Sequence, residues 1–504
     1  MVLGEQLENP YSVTNMKRAL KSLQTSSISN AKVAGVSSAA TEDMITTTHY
    51  YVKFKPKTEE ELLLLKSDTL VNYFPYPLDY EIKEEGDEYR DPEVSADQPT
   101  YQYASVKVDH QLPNNINYEI IEELFIPDED FDEIDEELIE EEVSYRNNLA
   151  KVQQVINIKD TDFWLTLVDE SLKLTNNLEE EDTEVLNGAK TAGWFRSKWR
   201  PTGKITMDDD NLGNIGIEGL KIRATRWFTT HTGFTDRNGK FSCDGRFRGS
   251  ARYRLDWERY HFALRDGGFS SAQKTGPSGR KKTWNWHITK DNSEQNYFAT
   301  IFRAAYHYYY KDIKGLRRPK QNSFWKSKLR IGAFTSNKGK YGVHQASSGF
   351  GGLVTTIKIY TYGEKNVDTY ATTIHELAHN SHYNMDKYNF NHTNTKVIES
   401  WARGVQWELT RMVYSNYLGR ERSTGDYTLV VSDLIDDSLT ERNSYGYGRY
   451  TTDGKIDEVE GYTIKQIEDA LRNGRSFNQW RDNLINKYNN KTEQHVKKLF
   501  KAYE

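Results

Sequence analysis

No proline or glycine interrupts residues 365 to 400, so the chain there is free to run as helix. Within it, ATTIHELAHNSH (371–382) carries three of the twelve histidines. His375 and His379 bracket Glu376 in the order H-E-x-x-H. Residues four apart lie about 40° apart around a helix, so both imidazoles can aim at one ion. Glu376 is offset by about 100° and cannot join them on the same line. It can reach a water on the open side of such an ion, which is why the chemistry uses this spacing. Ile374, Leu377 and Ala378 would face the core beside the two histidines, and the polar run DTYATT offers capping residues ahead of them. The plainer alternative is a helix with two exposed polar histidines.

A metal site needs a third protein ligand, and an open fourth position if it is catalytic. One pattern continues the motif to H-E-x-x-H-x-x-G-x-x-H. Here position 382 is His and position 385 is Met, so that pattern fails. His382 is then read as a surface histidine or as support for the ligands. The other pattern places a glutamate on a following helix. Glu399 stands twenty residues after His379, in NTKVIESWARGVQWELTRMVY. Val397, Ile398, Trp401, Val405, Leu409, Met412 and Val413 give that stretch an apolar side. The polar NSHYNMDKYNFNHT between the two helices suits a reversal, which would return Glu399 to the histidines.

His375, Glu376 and His379 with Glu399 twenty residues on resemble the gluzincins, the metallopeptidase superfamily typified by thermolysin. The resemblance implies Zn2+ held by His375, His379 and Glu399, with Glu376 as the catalytic base. It also implies an upstream edge strand that holds a substrate backbone, and GLVTTIKIY (352–360) stands where that strand is expected. Many members carry an Asp four residues after the ligand Glu to orient a histidine. Here that position is Arg403, so the orienting acceptor is expected elsewhere, at Glu408 or a backbone carbonyl. Tyr445, Tyr447, Tyr450 and Tyr462 are candidates to stabilise an oxyanion. No G-x-M-E-N-like exopeptidase motif is present, which argues against an aminopeptidase.

The chain of 504 residues has room for several domains. The expected fold class is multidomain α+β. Residues 1–180 read as an α/β module. Tyr11, Val13, Met16, Ala19, Leu20 and Leu23 recur at helical spacing behind Ser12 as N-cap. TTTHYYVKFKP reads as a strand stopped by Pro56, TEEELLLLKS as a short helix and YQYASVKVDH as a strand. DEDFDEIDEELIEEE (128–142) holds eleven acids, with Phe131, Ile134, Leu138 and Ile139 at helical spacing, and reads as an acidic helix.

Residues 194–290 change to β-branched and aromatic runs broken by Gly, Asn and Asp, the pattern of a β-sandwich. In TDRNGKF (235–241), Asn238-Gly239 is expected to supply the left-handed positions of a tight hairpin. PTGKITMDDDNLGNIGIEGLKIRATRWFTTHTGFTDRNGKFSC resembles the transthyretin-like, carboxypeptidase regulatory-like module. That resemblance implies a non-catalytic and often extracellular β-sandwich. MDDDNLGN (207–214) lacks the spacing of a calcium loop and reads as a polar hairpin tip. Residues 291–504 read as a mainly helical zincin-like domain with a small sheet.

A net charge of −7 gives little support for nucleic-acid binding. The single cysteine, Cys243, excludes an intramolecular disulfide and a Cys-based zinc site. No apolar run approaches the ~20 residues of a membrane helix. MVLGEQLENP lacks the basic and apolar regions of a signal peptide, and cytoplasmic residence is the plain reading of it. The domain order instead resembles modular bacterial surface lipoproteins, which implies export to the cell surface or periplasm. The expected function is a zinc-dependent peptidase acting on protein or peptide substrates, with possible surface-protein partners through the N-terminal modules. The alternative is a binding or assembly protein that keeps a peptidase-like zinc domain.

Overall fold

The computed structural model describes the chain except residues 30–40, 67, 69, 87–88, 96–97, 128–160, 179–197, 268–269, 292, 323–327, 336–340, 347–354, 418, 420–424 and 436–457. The expected acidic helix at 128–142 and Tyr445, Tyr447 and Tyr450 lie outside the described residues. What is described mixes eleven helices with several sheets, in keeping with the α+β class.

Near the N-terminus, β1 (Val2–Gln6) pairs with β3 (Tyr80–Glu84). The strand β2 (His49–Phe54) is the centre of an antiparallel sheet between β4 (Gln102–Lys107) and β5 (Tyr118–Leu124). Helix α1 (Val13–Ser29) starts where Ser12 Oγ accepts from Asn15 N at 3.1 Å, as an N-cap should. Its Tyr11-to-Leu23 stripe is buried with Trp164, Leu167, Val168 and Leu172 of α3 (Thr161–Leu174). Helix α2 (Glu59–Leu65) is capped by Thr58, whose hydroxyl accepts from Glu61 N.

Two four-stranded sheets follow. In one, β6 (Thr202–Asp209) carries β15 (Trp284–Ile288) in parallel and β7 (Gly213–Gly216) and β10 (Lys240–Ser242) antiparallel. The other runs β14 (Gln273–Gly279), β11 (Ala251–Asp256), β8 (Lys221–Arg226), β9 (Thr229–Phe234). Alternate residues of both, among them Ile205, Met207 and Trp284 against Ile222, Tyr253 and Leu255, share one buried cluster. The turn at 235–241 is not a tight hairpin, because β9 and β10 belong to different sheets. Of Asn238 and Gly239 only Gly239 has positive φ, +79°. The turn is closed instead by Asp236 Oδ1, which accepts from Asn238 N and Lys240 N. Gly239 is also required sterically, since a Cβ there would come 2.0 Å from Ile205 O.

The third large sheet has the order β13 (Ser270–Ser271), β12 (Phe262–Asp266), β16 (Leu329–Ala333), β18 (Thr355–Ile359), β17 (Gly342–Ala346). Strands β12, β16 and β18 are parallel, and β13 and β17 are antiparallel at the edges. Strands β12 and β13 therefore leave the two preceding sheets for this one before the chain returns to β14 and β15. Against this sheet lie α4 (Ser293–Tyr310) and α5 (Asn366–Met385). The short α6 (Lys387–Phe390), then α7 (Thr395–Arg411), α8 (Val430–Ile435), α9 (Ile464–Leu471), α10 (Phe477–Lys487) and α11 (Glu493–Tyr503) complete the layer. One buried cluster runs from Trp199 to Tyr503 through all three sheets. No helix among the described residues is long and apolar enough to cross a membrane.

Candidate metal centre

Helix α5 is built as the apolar pattern predicts. Ile374, Leu377 and Ala378 are fully buried, and burying Leu377 alone contributes about 2 kcal/mol. The helix begins at Asn366, so DTYATT lies inside it rather than ahead of it. Its N-cap, Lys365, makes no side-chain cap, and the first N–H goes instead to Asp210 Oδ2 at 3.0 Å. At the other end Asp386 closes the helix, its N–H donating to His382 O, and its carboxylate caps α6 through Asn389 N. The chain then turns into α7, started by Asn394, whose Oδ1 accepts from Lys396 N.

This returns Glu399 to the two histidines. Glu399 Oε2 is 3.1 Å from His375 Nε2 and 3.3 Å from His379 Nε2. The two Nε2 atoms are 3.0 Å apart. Two imidazole nitrogens aimed at each other would be an unfavourable pair if both presented lone pairs or both presented protons. Three donor atoms at these spacings form a triangle that converges on one point. A tetrahedral Zn2+ with bonds of about 2.0–2.1 Å has edges of about 3.3–3.4 Å between ligand atoms. The triangle is slightly tighter than that, and its donor set of two imidazoles and one carboxylate fits zinc.

Glu376 is buried beside this triangle, and His375, Glu376 and His379 form a group that could hold a metal ion. Of the two carboxylates, that of Glu399 touches both nitrogens, which makes it the ligand candidate. Burial disfavours the charged form of His379, but the Glu399 hydrogen bond and the charges of Glu376 and Glu399 outweigh it, and its pKa stands above the ordinary value. Burial would likewise raise Glu399, but hydrogen bonds from His375 and His379, and their charge, hold its carboxyl well below the usual range.

Four expectations about the surroundings change. His382 is not on the surface: it is buried against Phe390, ring centroids 5.0 Å apart, and burial followed by the nearby His379 pushes its pKa down to about 3. Glu408 does not orient a zinc histidine, because it pairs with Lys314 and Arg411. Arg403, where an Asp is common in the resembling family, donates to Tyr427 O at 2.7 Å. His375 Nδ1 is buried and has no hydrogen-bond acceptor among the described residues. The described part of GLVTTIKIY, β18, is not an edge strand, since β16 and β17 flank it. Among the described residues the edge on this side belongs to β17, whose Gly342 lies against Glu376. A Cβ at 342 would come 2.5 Å from Glu376 Cγ and 2.7 Å from Oε1. Tyr462 is in the core, its backbone N–H on Leu434 O, rather than at the histidines.

Sequence reasoning missed Tyr427. Its ring centroid is 5.9 Å from that of His375, and it is 38% exposed, so it lines the approach to the triangle. The loop that carries it is pinned to α7: Ser400 Oγ donates to Asp426 O, and Thr428 N donates to Ser400 Oγ, both at 3.2 Å. Gly342 and Asp210 were missed as well. Comparison of the sequence with protein-family models and with curated proteins finds no match to either.

Proposed function

We propose that this chain is a zinc-dependent peptidase. The observation that carries the reading is the triangle of His375 Nε2, His379 Nε2 and Glu399 Oε2, with sides of 3.0, 3.1 and 3.3 Å. Zn2+ held there would supply Lewis acidity toward a carbonyl oxygen and bring the pKa of a water toward about 7. Glu376, next to the triangle and beside Gly342 of β17, would take a water's proton and return it to the leaving amine. Strand β17 offers its outer backbone groups to an extended peptide, which would add as a sixth strand and run past Glu376. Tyr427 stands beside His375, where a phenol could meet the substrate carbonyl.

A non-catalytic zinc domain is the second reading, and one observation favours it. Among the described residues the buried His375 Nδ1 has no acceptor of the kind that usually orients a zinc histidine. Digestion of a peptide library by the wild type and by Glu376→Gln separates the two. Cleavage by the wild type that vanishes in Glu376→Gln, with zinc content equal in both, supports the peptidase. Equal digests from the two proteins, or no cleavage by either, would sink it. Export to the cell surface or periplasm belongs to the same proposal and is tested by fractionation of the source cells.

A further inference from the structure

The acidic tip between β6 and β7 takes no part in this chemistry, yet Asp209 at its base is buried against the helical layer, while Asp210 to Asn214 are exposed. The polar hairpin tip read from the sequence is there, with β6 and β7 antiparallel on either side of it, and its two aspartates also bond to the helical layer. The Asp209 side chain is fully enclosed. Its Oδ2 accepts from Arg303 Nη1 of α4 at 2.7 Å and from the Tyr414 hydroxyl at 2.6 Å. Its Oδ1 takes the N–H groups of Asn211 and Leu212. The Tyr414 ring meets Tyr370 of α5 edge-on at 5.2 Å, and the Arg303 guanidinium lies 5.7 Å from the centroid of the Tyr370 ring. The Tyr370 hydroxyl in turn is 2.6 Å from His307 Nδ1.

Asp210 and Asn366 bond reciprocally. Asn366 N donates to Asp210 Oδ2, and Asp210 N donates to Asn366 Oδ1, both at 3.0 Å. The Asn366 amide also donates to Asn296 Oδ1 and Thr300 Oγ1 of α4, both at 2.7 Å. Asn296 Nδ2 reaches Asp208 O at 2.8 Å. The first turn of a helix has N–H groups with no internal acceptor, and negative charge is favoured there. The helix's own N-cap, Lys365, supplies no side-chain acceptor, and a carboxylate from another sheet does.

We propose that Asp209 and Asp210 are positioning residues for the metal helix. The tip sets where α5 starts and how it is rotated, and so where His375 and His379 point. A slip of one residue at the start would turn every side chain by about 100° and take both Nε2 atoms out of the triangle. Asp210 holds the end of the helix and Asp209 its flank, through Arg303, Tyr414 and Tyr370. The sheet that carries the tip is then part of the working site, not a detachable binding module. This inference rests on the reading of His375, His379 and Glu399 as a zinc site.

The test uses the full chain with Asp210→Ala and Asp210→Asn. Asn caps a helix about as well as Asp, whereas Ala does not. Three quantities are read: zinc affinity by competition with a chromophoric chelator, amide exchange across residues 366–373, and kcat and KM separately on a cleaved peptide. For Asp210→Ala the zinc dissociation constant should rise about tenfold and kcat fall with KM little changed. Exchange should quicken at the start of α5 while the thermal midpoint of the chain moves little. Asp210→Asn should restore all three. Wild-type affinity and exchange in Asp210→Ala would overturn the proposal, as would failure of Asp210→Asn to rescue, or loss of zinc that follows general unfolding. If the wild type binds no zinc, the metal reading fails, and amide exchange at 366–373 alone still decides whether the tip positions the helix.

Discussion

Glu376 and Gly342 face each other across the gap between α5 and β17, at a distance that leaves no room for a methyl group. Gly342→Ala should therefore push the Glu376 carboxylate aside while leaving the three ligand candidates in place. The expected result is a 10–100-fold loss of kcat with zinc content unchanged, read by steady-state kinetics beside metal analysis. Asp209→Asn is expected to act on stability. It leaves the buried Arg303 guanidinium without its anion, at a cost of about 3–5 kcal/mol in denaturant unfolding. At this scale the helical period made His375, Glu376 and His379 legible, and a polar reversal of the right length made Glu399 legible. Tyr427 and Gly342 were not legible, because tertiary packing alone brings them to the site. The burial of His382 escaped for the same reason: its neighbour Phe390 stands on the next helix.

Most elements follow local pattern. Ser12 caps α1, Thr58 caps α2 and Pro56 stands just past β2, each read from nearby residues. The start of α5 was misplaced because its cap comes from Asp210, more than 150 residues earlier. Both ends of α2 show a similar long-range effect. Lys66 Nζ donates to Ser271 Oγ at 3.2 Å, and Glu59 lies 3.3 Å from both Arg265 and Arg330. Burial, then the charge of Arg265, pushes the Lys66 ammonium from 10.5 down to about 8. Between those two values the unfolded chain binds more protons than the folded one, so stability at this site rises as pH rises. Lys66→Met is therefore expected to add about 1 kcal/mol at pH 7 and to lose that gain by about pH 10. Urea unfolding of both proteins at the two pH values checks it.

For the whole molecule, the segments read from the sequence at 194–290 and 291–504 are not independent in space. Strands β12 and β13, from residues 262–271, complete the five-stranded sheet under α4 and α5, and the buried cluster has no break between the segments. Periodicity identifies a strand but not the sheet it joins, so this exchange could not be read from the sequence. A fragment of residues 291–504 should show no cooperative thermal unfolding, while the full chain does, by circular dichroism.

Whether the triangle on α5 and α7 holds zinc is decided by metal analysis of the purified full chain. The expected result is about one zinc per chain in the wild type and in Glu376→Gln, and little in His379→Ala or Glu399→Ala. A wild type that stays free of zinc after equilibration with the metal would contradict it. Zinc retained at the wild-type level in both ligand variants would do the same.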